Sequence, residues 1–126
     1  MSHEALLKED TQRPTVPFQI TFRDMEGSPS VWLAIQKRIG KLEQFFDRIV
    51  RCEVVVSTPH RHHRKGRIRH IQVHLQLPGH DIYINREPEI KSAHFDIYVA
   101  VRDAFDTLDR KLEDYVRKMR RTDIAL

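Results

Sequence analysis

The chain has 126 residues, which gives room for one domain around one hydrophobic core and argues against two. Its composition is globular with an extensively charged exterior (40% apolar, 32% charged, 4 Gly, 6 Pro), and the formal net charge of +4 is too small to define a partner unless the cations are clustered. A single cysteine, Cys52, excludes an intramolecular disulfide; no run approaches the roughly 20 apolar residues of a membrane helix, and residues 1–17 lack the apolar centre of a signal peptide, so a reducing cytoplasm is the expected location and no membrane the expected partner.

Residues 1–16 show no sustained periodicity and contain Pro14, with Pro17 next, so they read as a flexible tail. Phe18, Ile20 and Phe22 alternate with Gln19, Thr21 and Arg23, the period-two pattern of a strand with one buried face. Gly27 then breaks the chain, Ser28 is a natural N-cap, and Pro29 is tolerated in a first helical turn. Trp32, Ile35, Ile39, Leu42 and Phe46 follow at spacings of three and four, predicting an amphipathic helix whose polar side carries Lys37, Arg38 and Lys41. Cys52, Val54 and Val56 lie in a β-branched run closed by Pro59, a second strand. The stretch from His60 to Arg67 is then a hairpin connection to a third, in which Ile71, Val73, Leu75 and Leu77 alternate with His70, Gln72, His74 and Gln76. Pro78 and Gly79 predict a tight turn, Ile82 and Ile84 a fourth strand. Beyond Pro88, Ile97, Val101, Phe105, Leu108, Leu112, Tyr115 and Met119 recur at helical spacing. The expected fold is α+β in the order β-α-β-β-β-α, a four-stranded mixed sheet with both helices packed on one face and the polar set of the third strand on the other. The domain is expected to span 17–121, with 122–126 as a short tail.

The strongest anomaly is a gap in the acids. Between Glu53 and Asp81 there is no carboxylate, while the same stretch carries Arg61, Arg64, Lys65, Arg67, Arg69 and six of the eight histidines. A metal site does not follow from these histidines. His70 and His74 are four strand positions apart, about 13 Å at roughly 3.3 Å per residue, no acidic or thiolate ligand lies among them, and the neighbouring cations repel a divalent ion. A ribonuclease would need an acid and a base flanking a phosphate. His62 or His63 with Lys65 could imitate that pair, yet the loop offers no carboxylate to orient it. No Gly-rich phosphate loop and no nucleophile elbow is present, so no cofactor and no enzymatic activity are expected, and Cys52 reads as a small core residue.

Cations grouped on loops and helix faces have a better account in folded RNA, which offers phosphates, exposed bases and sugar hydroxyls. Three groups present themselves: Lys37, Arg38 and Lys41 on the first helix; Arg61, His62, His63, Arg64, Lys65 and Arg67 in the loop; and Arg110, Lys111, Arg117, Lys118, Arg120 and Arg121 on the last helix, where Arg110/Arg117 and Lys111/Lys118 are each seven residues apart. With both helices on one sheet face, their basic flanks are expected to merge into one surface. The plainer reading of the last helix is a solvated face laced with salt bridges, since Glu113 and Asp114 lie among its cations. A surface for an acidic protein partner remains an alternative to RNA.

The segments Lys41-Leu42-Glu43-Gln44-Phe45-Phe46-Asp47-Arg48-Ile49 and Asp96-Ile97-Tyr98-Val99-Ala100-Val101-Arg102-Asp103-Ala104-Phe105 resemble the bacterial ribosome hibernation-promoting factor / RaiA family. The resemblance covers about residues 17–121 in the same element order. His60-Arg61-His62-His63-Arg64-Lys65-Gly66 and Asn85-Arg86-Glu87-Pro88 look like one branch of that family, some members of which carry an added cold-shock domain. The resemblance implies binding to small-subunit ribosomal RNA in the channel of messenger and transfer RNA, and inhibition of translation in stressed or stationary cells, with no DNA partner. It also implies contacts from both helices, at Arg38, Lys41 and Arg110. Thr107 stands where a lysine is common and Arg102 where an acid is usual, so the contacts implied for the last helix are altered. Long members carry a further dimerising domain for which no room remains here, so a bound monomer is expected.

Overall fold

A computed structural model describes residues 14–58, 70–86 and 96–125 of the chain. The elements are β1 (Phe18–Arg23), α1 (Pro29–Phe45), β2 (Arg51–Ser57), β3 (His70–Leu77), β4 (His80–Arg86) and α2 (Ile97–Ala125), in the expected β-α-β-β-β-α order. They build one four-stranded sheet in the order β1-β2-β3-β4, with β1 parallel to β2 and the other pairs antiparallel. The residues expected in the β2–β3 connection, from His60 to Arg67, lie outside the described residues, as do 1–13 and 87–95.

Register puts the apolar alternates side by side. Phe18, Ile20 and Phe22 stand beside Cys52, Val54 and Val56, which stand beside Leu75, Val73 and Ile71, and Ile82 and Ile84 extend the rows of Leu75 and Val73. This face is the core floor, with Cys52, Val54, Val56, Ile71 and Leu75 fully buried. Ile35, Ile39 and Leu42 from α1 and Phe105, Leu108 and Leu112 from α2 cover it, all inaccessible to solvent or nearly so. The opposite face has no helix among the described residues and carries Gln19, Glu53, His74 and Tyr83 in one register row, and Gln72 and Asn85 in the next. Burying one face of a strand while solvating the other is what period-two alternation encodes.

Local signals explain where elements begin and end. Ser28 caps α1 as expected, its hydroxyl accepting from the Val31 N–H at 3.3 Å, and Pro29 sits in the first turn. The Phe46 N–H closes the other end on the Leu42 carbonyl at 2.9 Å. Within α1, Val31 takes a buried position, whereas Trp32 is half-buried against Phe18, with ring centroids 5.9 Å apart. Pro78 and Gly79 make the β3–β4 turn, where Gly79 has φ +71°, a conformation in which a side chain would be strained. Helix α2 starts at Ile97: the Asp96 carboxylate accepts from the Tyr98 N–H at 2.9 Å and its carbonyl from Ala100 at 3.1 Å.

The packed chain reaches back beyond the boundary expected at 17. Val16 is buried in the core, and Glu43 of α1 accepts from the Thr15 hydroxyl at 2.7 Å and from the N–H groups of Thr15 and Val16 at 2.8 and 2.6 Å. Burial raises the pKa of the Glu43 carboxyl, but the hydrogen bonds from Thr15 and Val16 outweigh it and hold the group below the usual carboxylate range.

The two helices run in the same direction. Near their starts the Tyr98 hydroxyl donates to Ser30 at 2.7 Å; midway Arg38 meets Asp106 and Asp109; near the end of α1, Phe46 meets the edge of Tyr115 at 5.7 Å.

Candidate nucleic-acid interface

The cations singled out from the sequence fall into distinct places. Lys37 and Lys41, one turn apart on α1, are exposed. Arg38 between them is not part of that solvated row. Its side chain is 19% exposed, and its guanidinium donates to Asp106 at 2.8 Å and Asp109 at 2.9 Å on α2, lying 5.7 Å from the Phe105 ring centre. The hydrogen bond from Arg38, joined by the field of Arg38, Arg102 and Arg110, outweighs burial and pulls the Asp106 carboxyl below its ordinary pKa. The seam between the helices is therefore an arginine between two carboxylates, and the single merged basic surface expected from the sequence is corrected by it.

On α2 the cations divide by helical angle. Lys111 lies roughly 140–200° round the helix from Asp106 and Asp109 at 100° per residue, so Lys111 and Lys118 face away from α1 and line a groove against β4. Arg110 and Arg117 are exposed on the outward side. Arg110 reaches the Thr107 hydroxyl at 3.4 Å, itself donating to the Asp103 carbonyl, and Arg117 pairs with Asp114 at 3.2 Å. Arg120 and Arg121 are exposed just before the last turn. Arg61, His62, His63, Arg64, Lys65 and Arg67 lie outside the described residues.

Cys52 is buried on the core floor, and burial, with the charge of Glu53 beside it, pushes its thiol up to about 12, so no thiolate is available at neutral pH. Among the described residues no group of three or more His, Cys, Asp or Glu side chains is placed to hold a metal ion. The histidines on the sheet are engaged separately: His70 Nε2 with Asn85 Oδ1, and His74 with Asp81 at 3.0 Å.

One feature of the open face went unread in the sequence. Tyr83 is 64% exposed and stacks on His74, with ring centroids 4.3 Å apart and planes 12° from parallel. The signal was present, since Asp81, Tyr83 and Asn85 are the outward alternates of β4. Ile82 and Ile84 mark the strand by its inward set alone, and that set carries no information on the aromatic opposite.

A family model described as sigma 54 modulation protein / S30EA ribosomal protein matches residues 18–120. The chain belongs to this family. The match spans the whole sheet and most of α2, and it bears out the family resemblance drawn from the motifs in both helices; the branch assigned from the histidine-rich loop is not tested by it. Two of the solved structures with a similar fold illustrate the likeness. The N-terminal domain of Thermus thermophilus Protein Y superposes with a TM-score of 0.62 at 18% identity, over 80% of this chain and 99% of that one. A ribosomal subunit interface protein from Coxiella burnetii gives 0.65 at 18% identity, over 81% and 99%. No curated protein matches. No helix among the described residues is long and apolar enough to cross a membrane.

Proposed function

We propose that this S30EA-family chain is a ribosome-associated factor of the cytoplasm that binds small-subunit ribosomal RNA in the decoding channel as a monomer. There it inhibits translation under stress or in stationary phase and catalyses no reaction. The observation that carries the reading is two sets of exposed cations on parallel helices, one on each side of the Arg38 seam: Lys37 and Lys41 on α1, and Arg110, Arg117, Arg120 and Arg121 on α2. Family membership supports a ribosomal partner, as does the likeness in fold to a protein described as a ribosomal subunit interface protein. The basic loop, with Arg61, His62, His63, Arg64, Lys65 and Arg67, adds charge to the same task. Arg38 is assigned a different part, holding α2 against α1 so that the outward cations keep a fixed spacing.

Sedimentation with purified small subunits over a salt series tests the reading. With about six phosphates neutralised, log affinity falls with log salt at a slope near four, at roughly 0.7 per contact for single-stranded RNA. Substituting Lys37, Lys41, Arg110 and Arg117 together by Gln lowers that slope and weakens binding. A complex insensitive to salt, or one that survives the fourfold substitution, contradicts the proposal. Binding that persists with an acidic protein after nuclease treatment would instead favour a protein partner.

A further inference from the structure

Apart from the outward cations, a groove runs along the edge of β4 that no described strand covers. It encloses about 620 Å³ between β4 and α2, and its walls include Tyr83, Lys111 and Lys118. We propose that this groove takes one unpaired nucleotide of single-stranded RNA, its base stacked on the outer face of Tyr83 and its phosphates drawn to Lys111 and Lys118. The inference rests on the RNA-binding reading above and assigns a specific mode of contact to a specific place.

Tyr83 supplies the platform. One ring face is covered by His74, which belongs to β3; β4 is the outermost described strand, and Tyr83, 64% exposed, is among the residues that line the groove at its edge. His74 is in turn held by Asp81 at 3.0 Å. The ring is thus oriented before any ligand arrives, and little side-chain freedom remains to be lost on binding. Stacking on such a ring is tolerant of base identity, because every base has a π face.

The charges are apportioned to suit a phosphodiester. Both carboxylates in the walls already have partners, Asp81 in His74 and Asp114 in Arg117 at 3.2 Å. Lys111 has no carboxylate within ion-pair distance among the described residues, and with Lys118, seven residues on, it forms a cationic wall about 10 Å long at 1.5 Å per residue. The end near the β3–β4 turn is closed by His80 stacked on Tyr115 at 5.3 Å, with the Tyr115 hydroxyl donating to the Pro78 carbonyl at 3.3 Å. An extended peptide could also pair with a free strand edge. Such pairing uses neither the exposed Tyr83 ring nor Lys111, so the observations favour the nucleotide.

The experiment measures binding of the full chain to fluorescein-labelled hexauridylate by anisotropy at fixed salt, beside an abasic hexamer of equal charge. Tyr83→Ala is expected to weaken the intact hexamer roughly five- to hundredfold, as stacking on an aromatic side chain implies, and to leave the abasic hexamer unchanged. Tyr83→Phe, which keeps the ring and controls for folding, retains binding within about twofold. Lys111→Gln weakens both hexamers equally. Equal binding of the two hexamers by the unmodified chain overturns the proposal, as does an unchanged affinity in Tyr83→Ala or displacement of the RNA by hexaglutamate as effective as by unlabelled hexauridylate. If the hexamer test fails while the chain still sediments with small subunits, the groove alone is refuted; if the unmodified chain does not sediment with them, the RNA-binding reading itself falls.

Discussion

Replacing Arg38 by Met separates two roles that one arginine could play. The substitution keeps most of the aliphatic stem and removes the guanidinium that bridges Asp106 and Asp109. Hydrogen bonds to charged groups contribute about 1.5–3 kcal/mol each when well shielded. Here the two carboxylates remain 47% and 27% exposed and regain water when the bridge is lost, so each bond is discounted toward the 0.2–1 kcal/mol typical of exposed pairs. The interaction with the Phe105 ring adds about 0.5–1 kcal/mol, and the Arg38 Nε, buried without a partner among the described residues, offsets a little of the gain. The sum is about 2 kcal/mol, or a fall of about 1 M in the urea midpoint at an m value near 2 kcal/mol/M. Double-mutant cycles with Asp106→Asn and Asp109→Asn should each return about 0.5–1 kcal/mol of coupling, and the Asp106 carboxyl, followed by NMR, should titrate at higher pH in Arg38→Met. The salt slope of ribosome binding should stay unchanged, whereas an RNA-contacting arginine would take about 0.7–0.9 from it. Coupling below about 0.3 kcal/mol in both cycles, or a slope reduced by that amount, would refute the assignment of Arg38 as a strut between the helices.

Ser28→Ala removes the cap of α1 and should cost about 1 kcal/mol in chemical unfolding, with Ser28→Asp close to neutral. Glu43 titrates lower in the folded chain than in the unfolded one, so its contribution is complete above the unfolded carboxylate pKa and is lost as pH falls through the folded value. Acid unfolding of Glu43→Gln should accordingly show a shallower loss of stability below about pH 4. Cys52 should resist maleimide at pH 8 in the native protein and react fully in denaturant; rapid native labelling would contradict its place on the core floor. Ribosome binding should tighten from about pH 7.5 to 6 as imidazolium charge accumulates, and alanine at His60, His62 and His63 should abolish that part of the pH dependence.

The architecture was legible because it is written in short-range pattern. Alternation of Ile71, Val73, Leu75 and Leu77 with polar residues fixes which side of β3 is buried, and the spacing of Phe105, Leu108 and Leu112 fixes the inner side of α2. The division of the basic residues was not legible, since it depends on pairs far apart in the chain. Nothing near Arg38 announces Asp106 and Asp109, 68 and 71 positions away. Glu43 reaching back 28 residues to anchor Thr15 is the same kind of contact, and it extends the packed region past a boundary drawn from Pro14 and Pro17. Lys111 and Arg110 look alike as neighbours in sequence, yet one turns to the free edge of β4 and the other to solvent. That separation requires knowing on which flank of α2 the first helix lies.

The shared direction of the two helices has an electrical consequence of its own. Each carries a macrodipole equivalent to about +0.5 elementary charge at its N-terminus and −0.5 at its C-terminus, and here the two add instead of cancelling. Their N-termini meet where Tyr98 touches Ser30, at the end of the sheet to which Arg23, the last residue of β1, also belongs. Neither helix carries a cation in its last turn to offset the opposite, negative ends. The backbone alone thus polarises the domain along the direction of its helices. A polyanion approaching from beyond contact range meets a torque as well as an attraction, and that torque weakens with ionic strength as the Debye length shortens.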